Sequence, residues 1–266
     1  MDRPTKGELK ICGLAAVRAR FQKEAGSIRR LYFDYPTGRK IGVLCRALSA
    51  SRKIYRCLEP ADMEKVAGTV HHGGIVAVVD EPALEPVVEG EPQAWAQKGD
   101  RVLALDRIGN AHNLGAIART AAFFGIQRIV IPDVPTAARP NDAAYRVAEG
   151  GLERVEVRRV SSLPAFLKAL AGAGYEVVGA AASGGKSARS LGAPRPGGAP
   201  PPPFALVLGN EEGGLSPETA AACTRLVTIP GAGAVESLNV STAAAVLMWE
   251  LTGARTGTDR RRPPSP

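Results

Sequence analysis

Ile229-Pro-Gly-Ala-Gly-Ala-Val-Glu-Ser-Leu-Asn-Val-Ser241 joins an apolar run at 226–229 to a helical pattern that continues to Thr252. Pro230 ends the strand, Gly231 and Gly233 loosen the loop, and Ser237 and Asn239 place a hydroxyl and an amide near the helix start. Ala243, Ala244, Leu247 and Leu251 then recur at helical spacing, the mark of a core-facing stripe. Ser241 reads as a capping or packing hydroxyl. A strand that passes through a glycine loop into a buried helix is the building unit of an open α/β protein. Such folds assemble ligand sites beyond the carboxyl ends of their strands.

Two earlier blocks repeat this arrangement. Leu208-Gly-Asn-Glu-Glu-Gly-Gly-Leu215 follows the apolar run 205–208, and its glycines let the backbone approach a ligand closely. Glu211 sets one carboxylate at the strand end, able to pair with Arg119 or to take a proton. An ordinary tight turn is also compatible with these residues. Asn113-Leu-Gly-Ala-Ile-Ala-Arg119-Thr follows the apolar run 102–105 and the connection 106–112. Asn113 stands where a helix N-cap is expected, with Gly115 in the first turn. That leaves backbone N–H groups and a partial positive charge for an anion, to which Arg119 adds a fork suited to phosphate. A simple cap and a solvated arginine account for the same block.

Around these blocks, apolar runs at 102–105, 129–131, 155–157, 176–178, 205–208 and 226–229 alternate with helical patterns at 115–124, 163–171, 217–223 and 238–252. The alternation predicts an α/β fold with a mostly parallel sheet covered on both faces. Pattern alone makes it doubly wound and unknotted, because knots are rare among chain topologies. The Gly/Pro stretch 184–203 reads as a surface loop between core strands. Residues 1–80 mix basic helical stretches (13–23, 41–52) with short strands (31–33, 54–58, 75–79), the pattern of a small α/β domain. Residues 81–98 carry Glu81-Pro82, Glu85-Pro86 and Glu91-Pro92 and read as a linker to a second domain at 99–254. Residues 255–266, with Arg255, Arg260, Arg261 and Arg262 among Gly, Thr and Pro, read as a disordered basic tail.

Thirty-four basic against 26 acidic residues give a net charge of +8, a balance that favours polyanionic partners. The four cysteines, Cys12, Cys45, Cys57 and Cys223, form no CxxC pair, and His71, His72 and His112 do not stand at metal-ligand spacing from them. No metal is expected. Neither a secretory leader nor a membrane span is legible, so the expectation is a cytoplasmic protein with reduced thiols and no membrane partner. Gly-Gly-Lys-Ser187 lacks the first glycine of a phosphate loop, and Gly231-Ala-Gly233 lacks the third glycine of a dinucleotide fingerprint. Nucleotide hydrolysis and hydride transfer are set aside.

In order and spacing, the three blocks resemble the three motifs of the SpoU/TrmH family of RNA 2′-O-ribose methyltransferases, in the SPOUT superfamily. The likeness spans residues 100 to 253. It implies a trefoil-knotted domain, in place of the unknotted one, that binds S-adenosyl-L-methionine in the knot. It also implies a homodimer and methylation of a ribose 2′-hydroxyl in tRNA or rRNA. Asn113 and Arg119 match the first motif, Glu211 the acid of the second, and Ser237 and Asn239 the polar pair of the third. Leu208, Gly209, Asn210, Ile229, Gly231 and Leu238 fall where the family holds the methyl donor. Lys10-Ile-Cys-Gly13 with Val17, and His71-His-Gly-Gly-Ile-Val-Ala77, resemble the two ends of the family's small RNA-binding domain. Two departures concern loop conformation: Asn110-Ala111 replaces an Asp-Pro, and Glu211-Glu212 a Glu-Gly.

The resemblance points to Arg119 as the residue that activates the hydroxyl. A guanidinium pKa above about 12 argues against a neutral arginine base. Arg119 is expected to hold the adjacent phosphate and stabilise the developing alkoxide, with Ser237 and Asn239 orienting groups nearby and Glu211 holding Arg119 or the RNA. A non-catalytic RNA-binding protein and a base-directed RNA methyltransferase are the competing readings. The intact polar residues oppose the first, and the Ser-Leu-Asn-Val-Ser block favours ribose over base.

Overall fold

The computed structural model describes residues 7–192 and 202–253. The basic tail expected at 255–266 and part of the loop expected at 184–203 lie outside them. Contacts divide the chain into two compact units, the first built from the described part of Met1–Leu84 with Ala111–Ala122 and Arg139–Glu156. The second comprises Glu85–Asn110, Phe123–Ala138 and the described part of Val157–Pro266.

In the first unit, β1 (Glu8–Cys12), β2 (Ile28–Phe33), β3 (Ile54–Cys57) and β4 (Ile75–Asp80) form one sheet in the order β1-β4-β2-β3. β4 is antiparallel to both neighbours, and β3 is a parallel edge strand on β2. Position in the sheet explains the burial. Central β4 is apolar and buried from Ile75 to Val79, whereas edge β3 is exposed along its whole length. Helices α1 (Leu14–Glu24), α2 (Tyr35–Gly38), α3 (Gly42–Ala50) and α4 (Pro60–Ala67) complete the amino-terminal part.

The first unit also takes in α6 (Ala111–Phe123) up to Ala122 and all of α7 (Asp142–Ala148), a grouping that cuts across the sequence-based domain 99–254. Long-range polar contacts are the reason. Asp142 Oδ1 accepts from the Lys10 backbone N–H at 2.9 Å, and Arg20 Nε donates to Glu153 Oε1 at 3.0 Å. The Arg20 and Glu153 side chains are only 2% and 1% exposed, and burial pushes the Glu153 carboxyl upward against the opposing pull of Arg20. Helix α7 was not expected from sequence; it is capped by Asn141, whose Oδ1 accepts from Ala144 N–H at 3.0 Å.

The second unit is a seven-stranded sheet of β5 (Val102–Leu105), β6 (Arg128–Pro132), β7 (Glu156–Val160), β8 (Glu176–Ala180), β9 (Lys186–Ser187), β10 (Phe204–Leu208) and β11 (Arg225–Thr228). Their order is β7-β6-β5-β10-β8-β11-β9. β10 pairs in parallel with β5 on one side and β8 on the other, and all its residues are buried. A strand covered on both faces reads as a continuous apolar run, which is why Phe-Ala-Leu-Val-Leu was recognisable. Helices α5 (Glu91–Lys98), α8 (Leu163–Gly172), α9 (Pro217–Ala221) and α10 (Val240–Gly253) also belong to this part of the chain.

Several sequence-based expectations need correction. The stretch 81–98 is not simply a linker, because its second half is α5, with Pro92 in the first helical turn where a missing N–H costs nothing. Trp95 of α5 is 3% exposed, meets Phe166 edge-on at 6.2 Å and lies 4.4 Å from the Arg128 guanidinium. Within the expected loop 184–203, β9 pairs with β11, and Gly185 N–H donates to Thr228 Oγ1. Helix α6 begins at Ala111, so Asn113 lies inside its first turn and is not the cap.

Truncating Glu153 would leave the buried Arg20 guanidinium with only the exposed Glu24 carboxylate, at 3.7 Å. Glu153→Ala is expected to lower stability by about 3–5 kcal/mol, read from urea unfolding; a loss below about 1 kcal/mol, the scale of a surface pair, would refute a buried ion pair here.

Candidate functional site

The carboxyl ends of β8, β10 and β11 open into a cavity of about 640 Å³. Its walls come from residues 180–182 after β8, 208–212 and 214 after β10, 227–238 after β11, and Val240, Ala243 and Leu247 of α10. Leu208, Gly209, Asn210, Ile229, Gly231 and Leu238 all line it, as do Glu211 and Ser237. This is where an open parallel sheet places a ligand, and the size suits a small-molecule site.

Close backbone packing shapes the loop after β10. A Cβ added at Gly209 would lie 2.3 Å from the Gly214 carbonyl carbon and 2.4 Å from Leu215 N, so only glycine permits the fold-back. Asn210 and Gly214 exchange backbone hydrogen bonds of 3.0 Å. The Asn210 side chain is committed to the same turn: Oδ1 accepts from Glu212 N–H at 3.0 Å and Gly213 N–H at 3.1 Å, while Nδ2 donates to Arg107 O at 3.0 Å.

That last contact leads to two residues missed by sequence reasoning. Asp106 directly follows β5 and is 4% exposed. Its Oδ2 accepts from Ser216 N–H at 2.7 Å, and its Oδ1 from Arg107 Nε at 3.1 Å. Arg107 adopts a left-handed backbone (φ 59°) and donates through Nη2 to Gly214 O at 3.2 Å. A carboxylate and an arginine immediately after an apolar strand were the available signal. Cys223 is a packing group, its thiol pushed up to about 11 by burial and secondarily by Asp106.

In the third block, Asn239 Oδ1 accepts from Ser241 N–H at 2.9 Å and from Ser241 Oγ–H at 2.6 Å, closing the turn that enters α10. The capping group is therefore the Asn239 amide oxygen, and the Ser241 hydroxyl, expected to cap or pack, donates to it. Residues 231–239 are exposed, and Leu238 remains 45% accessible on the open side of the cavity.

Asn113 and Arg119 lie on α6 in the first unit. Gly115, expected to bare N–H groups for an anion, is instead buried, and a Cβ there would lie 2.4 Å from Ala144 O. Its absence lets α6 and α7 approach. The exposed Arg119 guanidinium places Nη1 2.9 Å from Glu149 Oε1, so its acidic partner here is Glu149, where sequence reasoning had offered Glu211. Glu211 Oε2 receives the Asn210 amide at 3.5 Å. Among the described residues no cluster of His, Cys, Asp and Glu could hold a metal ion.

The profile of the SpoU rRNA Methylase family matches residues 100–249, more than half of the chain. This chain belongs to the SpoU rRNA methylase family. A second profile, RNA 2′-O ribose methyltransferase substrate binding, matches residues 10–84, which carry the four-stranded sheet. Among relatives, a 23S rRNA (guanosine-2′-O-)-methyltransferase, RlmB of Nitrosomonas europaea, is 32% identical over 90% of this chain and 89% of its own length. The uncharacterized tRNA/rRNA methyltransferase YfiF of Escherichia coli O157:H7 is 35% identical over 91% of this chain and 67% of its own. Among solved structures, the SpoU methyltransferase AviRb of Streptomyces viridochromogenes, in complex with the cofactor AdoMet, superposes with a TM-score of 0.69. It is 25% identical, covering 95% of this chain and 92% of that one.

Removing Asp106 would deprive the Ser216 N–H and the Arg107 guanidinium of their acceptor. Asp106→Ala is expected to cost about 1–3 kcal/mol and to speed amide exchange at Asn210 and Gly214. Unchanged exchange in that loop would show that Asp106 does not hold it.

Proposed function

We propose that this SpoU-family protein transfers a methyl group from S-adenosyl-L-methionine to a ribose 2′-hydroxyl of tRNA or rRNA. The observation that carries the reading is the glycine-shaped cavity at the ends of β8, β10 and β11, which gathers every residue expected to meet the donor. Its volume fits, and the open glycine backbone at Gly231 and Gly233 lets a ligand lie close to main-chain N–H and C=O groups. The likeness to AviRb, solved with AdoMet, and to RlmB, named for guanosine-2′-O-methylation, supports the same donor and acceptor. The trefoil knot expected from the resemblance is part of this proposal.

The donor supplies an electrophilic methyl group on a sulfonium: the O–CH3 bond forms as the S–CH3 bond breaks, a neutral thioether leaves, and the hydroxyl proton passes to solvent. The protein's work is therefore alignment and management of charge on the ribose oxygen. Leu208, Gly209, Asn210, Ile229, Gly231 and Leu238 hold the donor. Arg119 grips the phosphate beside the target ribose and stabilises the developing alkoxide, with Asn113 supporting the same helix end. Ser237 and Asn239 orient the acceptor, and Glu211 holds the RNA loop.

RNA is also gripped by the amino-terminal sheet and helices of the first unit. Around α2, α3 and β3 stand exposed Tyr35, Tyr55, Arg39, Arg46, Arg52 and Arg56, aromatic faces interleaved with cations, the combination that stacks bases and neutralises phosphates. A homodimer is supported by an aromatic face in the second unit, where Phe123 is 82% and Trp249 63% exposed and Phe124 lies 5.1 Å from one and 6.3 Å from the other. The reading puts the work on RNA in the cytoplasm; among the described residues no helix is long and apolar enough to cross a membrane.

Incubation with labelled S-adenosyl-L-methionine and separate pools of unmodified tRNA and rRNA, followed by digestion, is expected to yield a labelled 2′-O-methylnucleoside. A labelled base, or no transfer despite donor binding, counts against the reading. Arg119→Ala should reduce turnover by about 10²-fold or more while leaving donor affinity intact; full turnover would remove Arg119 from the mechanism. Trp249→Arg should convert the dimer to monomer in sedimentation, and a wild-type profile for the variant would place the interface elsewhere.

A further inference from the structure

We infer that Glu149 is a positioning residue for Arg119, its carboxylate fixing the guanidinium before RNA arrives. The inference rests on the proposed role of Arg119. Three observations in the first unit carry it. First, Arg119 Nη1 lies 2.9 Å from Glu149 Oε1, with the two side chains 57% and 59% exposed. A pair so open to water contributes little to folding, so stability does not explain it.

Second, Glu149 sits at the end of α7 in the left-handed region, with φ 44° and ψ 45°. Glycine is the ordinary occupant of that position, and a side chain there is strained. Gly150 and Gly151 follow immediately, so the turn already contains residues suited to such angles, yet a carboxylate stands at the strained position. Residues held in such conformations cluster where strain serves function.

Third, the turn is locked onto the arginine it serves. A Cβ added at Gly151 would lie 2.6 Å from Arg119 Cα and 2.8 Å from Arg119 N, so the two backbones are in direct contact. One at Gly150 would lie 3.3 Å from Ala16 Cα. The single helical turn Gly151–Glu153 is in turn anchored by the buried Arg20–Glu153 pair. Glu149 therefore projects its carboxylate from a fixed backbone toward a fixed helix. Contact through one Nη occupies part of a fork with five N–H donors and leaves the rest for a phosphate or a developing alkoxide.

If Glu149 merely competed with phosphate for Arg119, removing it would tighten RNA binding and spare the chemical step. Positioning makes the opposite demand, since a loosened guanidinium lowers kcat more than it alters RNA binding. Glu149→Gly separates the two, because glycine relieves the backbone strain while deleting the carboxylate. The variant is expected to melt at the wild-type temperature or above, to bind S-adenosyl-L-methionine normally, and to lose about 10-fold in kcat with RNA KM little changed. In the Arg119→Ala background the same substitution should cause no further loss, because both act through one group. Wild-type kcat in Glu149→Gly, a lowered RNA KM with kcat intact, or a full additional loss in the double variant would overturn the inference. A turnover unaffected by Arg119→Ala alone would instead strike the underlying role of Arg119.

Discussion

A buried carboxylate at the end of β5 fixes where the cavity's walls begin. Asp106 N–H donates to Leu208 O at 2.8 Å, extending the β5–β10 pairing by one step past the strand. Its side chain then takes the N–H of Ser216, the residue that caps α9, and the Nε of Arg107, which reaches on to Gly214 O. The loop from Gly209 to Ser216 is thus held at its start by the sheet, in its middle by Arg107 and at its end by Asp106. A carboxylate as buried as Asp106 is favourable only when it is satisfied, and here the Ser216 N–H and Arg107 satisfy it.

Glycine serves two separate purposes in this chain, and a sequence does not distinguish them. At Gly209 the missing side chain lets a loop fold back on itself beside the cavity, whereas at Gly115 it lets α6 pack against α7. Gly209 directly follows an apolar strand and Gly115 lies in the first helix after one, so both suggest a ligand-approach site. Only the tertiary partners, Gly214 in one case and Ala144 in the other, separate the meanings.

What could be read from the sequence was local. Buried parallel strands such as β10 declare themselves as unbroken apolar runs, and the strand-to-helix loops declare themselves through glycine and proline. Thus the α/β architecture was legible, and residues 208–210, 229, 231 and 238, to which the resemblance pointed, line one cavity. Proline misled at Pro92 because the same residue that breaks a helix interior also begins a helix well, and the deciding fact, a core niche for Trp95, is tertiary. The partner of Arg119 was illegible for a related reason. Glu149 lies 30 positions away and reaches Arg119 only because α7 doubles back onto α6 through Gly115 and Gly151.

The polar side chains of the motif loops act mainly on their own backbone. Asn210 directs its amide to Glu212, Gly213 and Arg107, and the Asn239 oxygen is taken by Ser241. Such asparagines preset main-chain N–H and C=O groups around the cavity, and a preset backbone meets a ligand without the entropic cost of ordering itself on binding. On the proposed reading, a donor in this cavity would meet chiefly main chain, so the loops would tolerate changes at exposed side chains that leave the turn intact. Changes at Asn210 would act through loop geometry and not through a lost ligand contact. If a preset backbone holds the donor, that reactant is oriented before the RNA enters. The folding energy of the protein then carries the cost of alignment that would otherwise fall on the transition state.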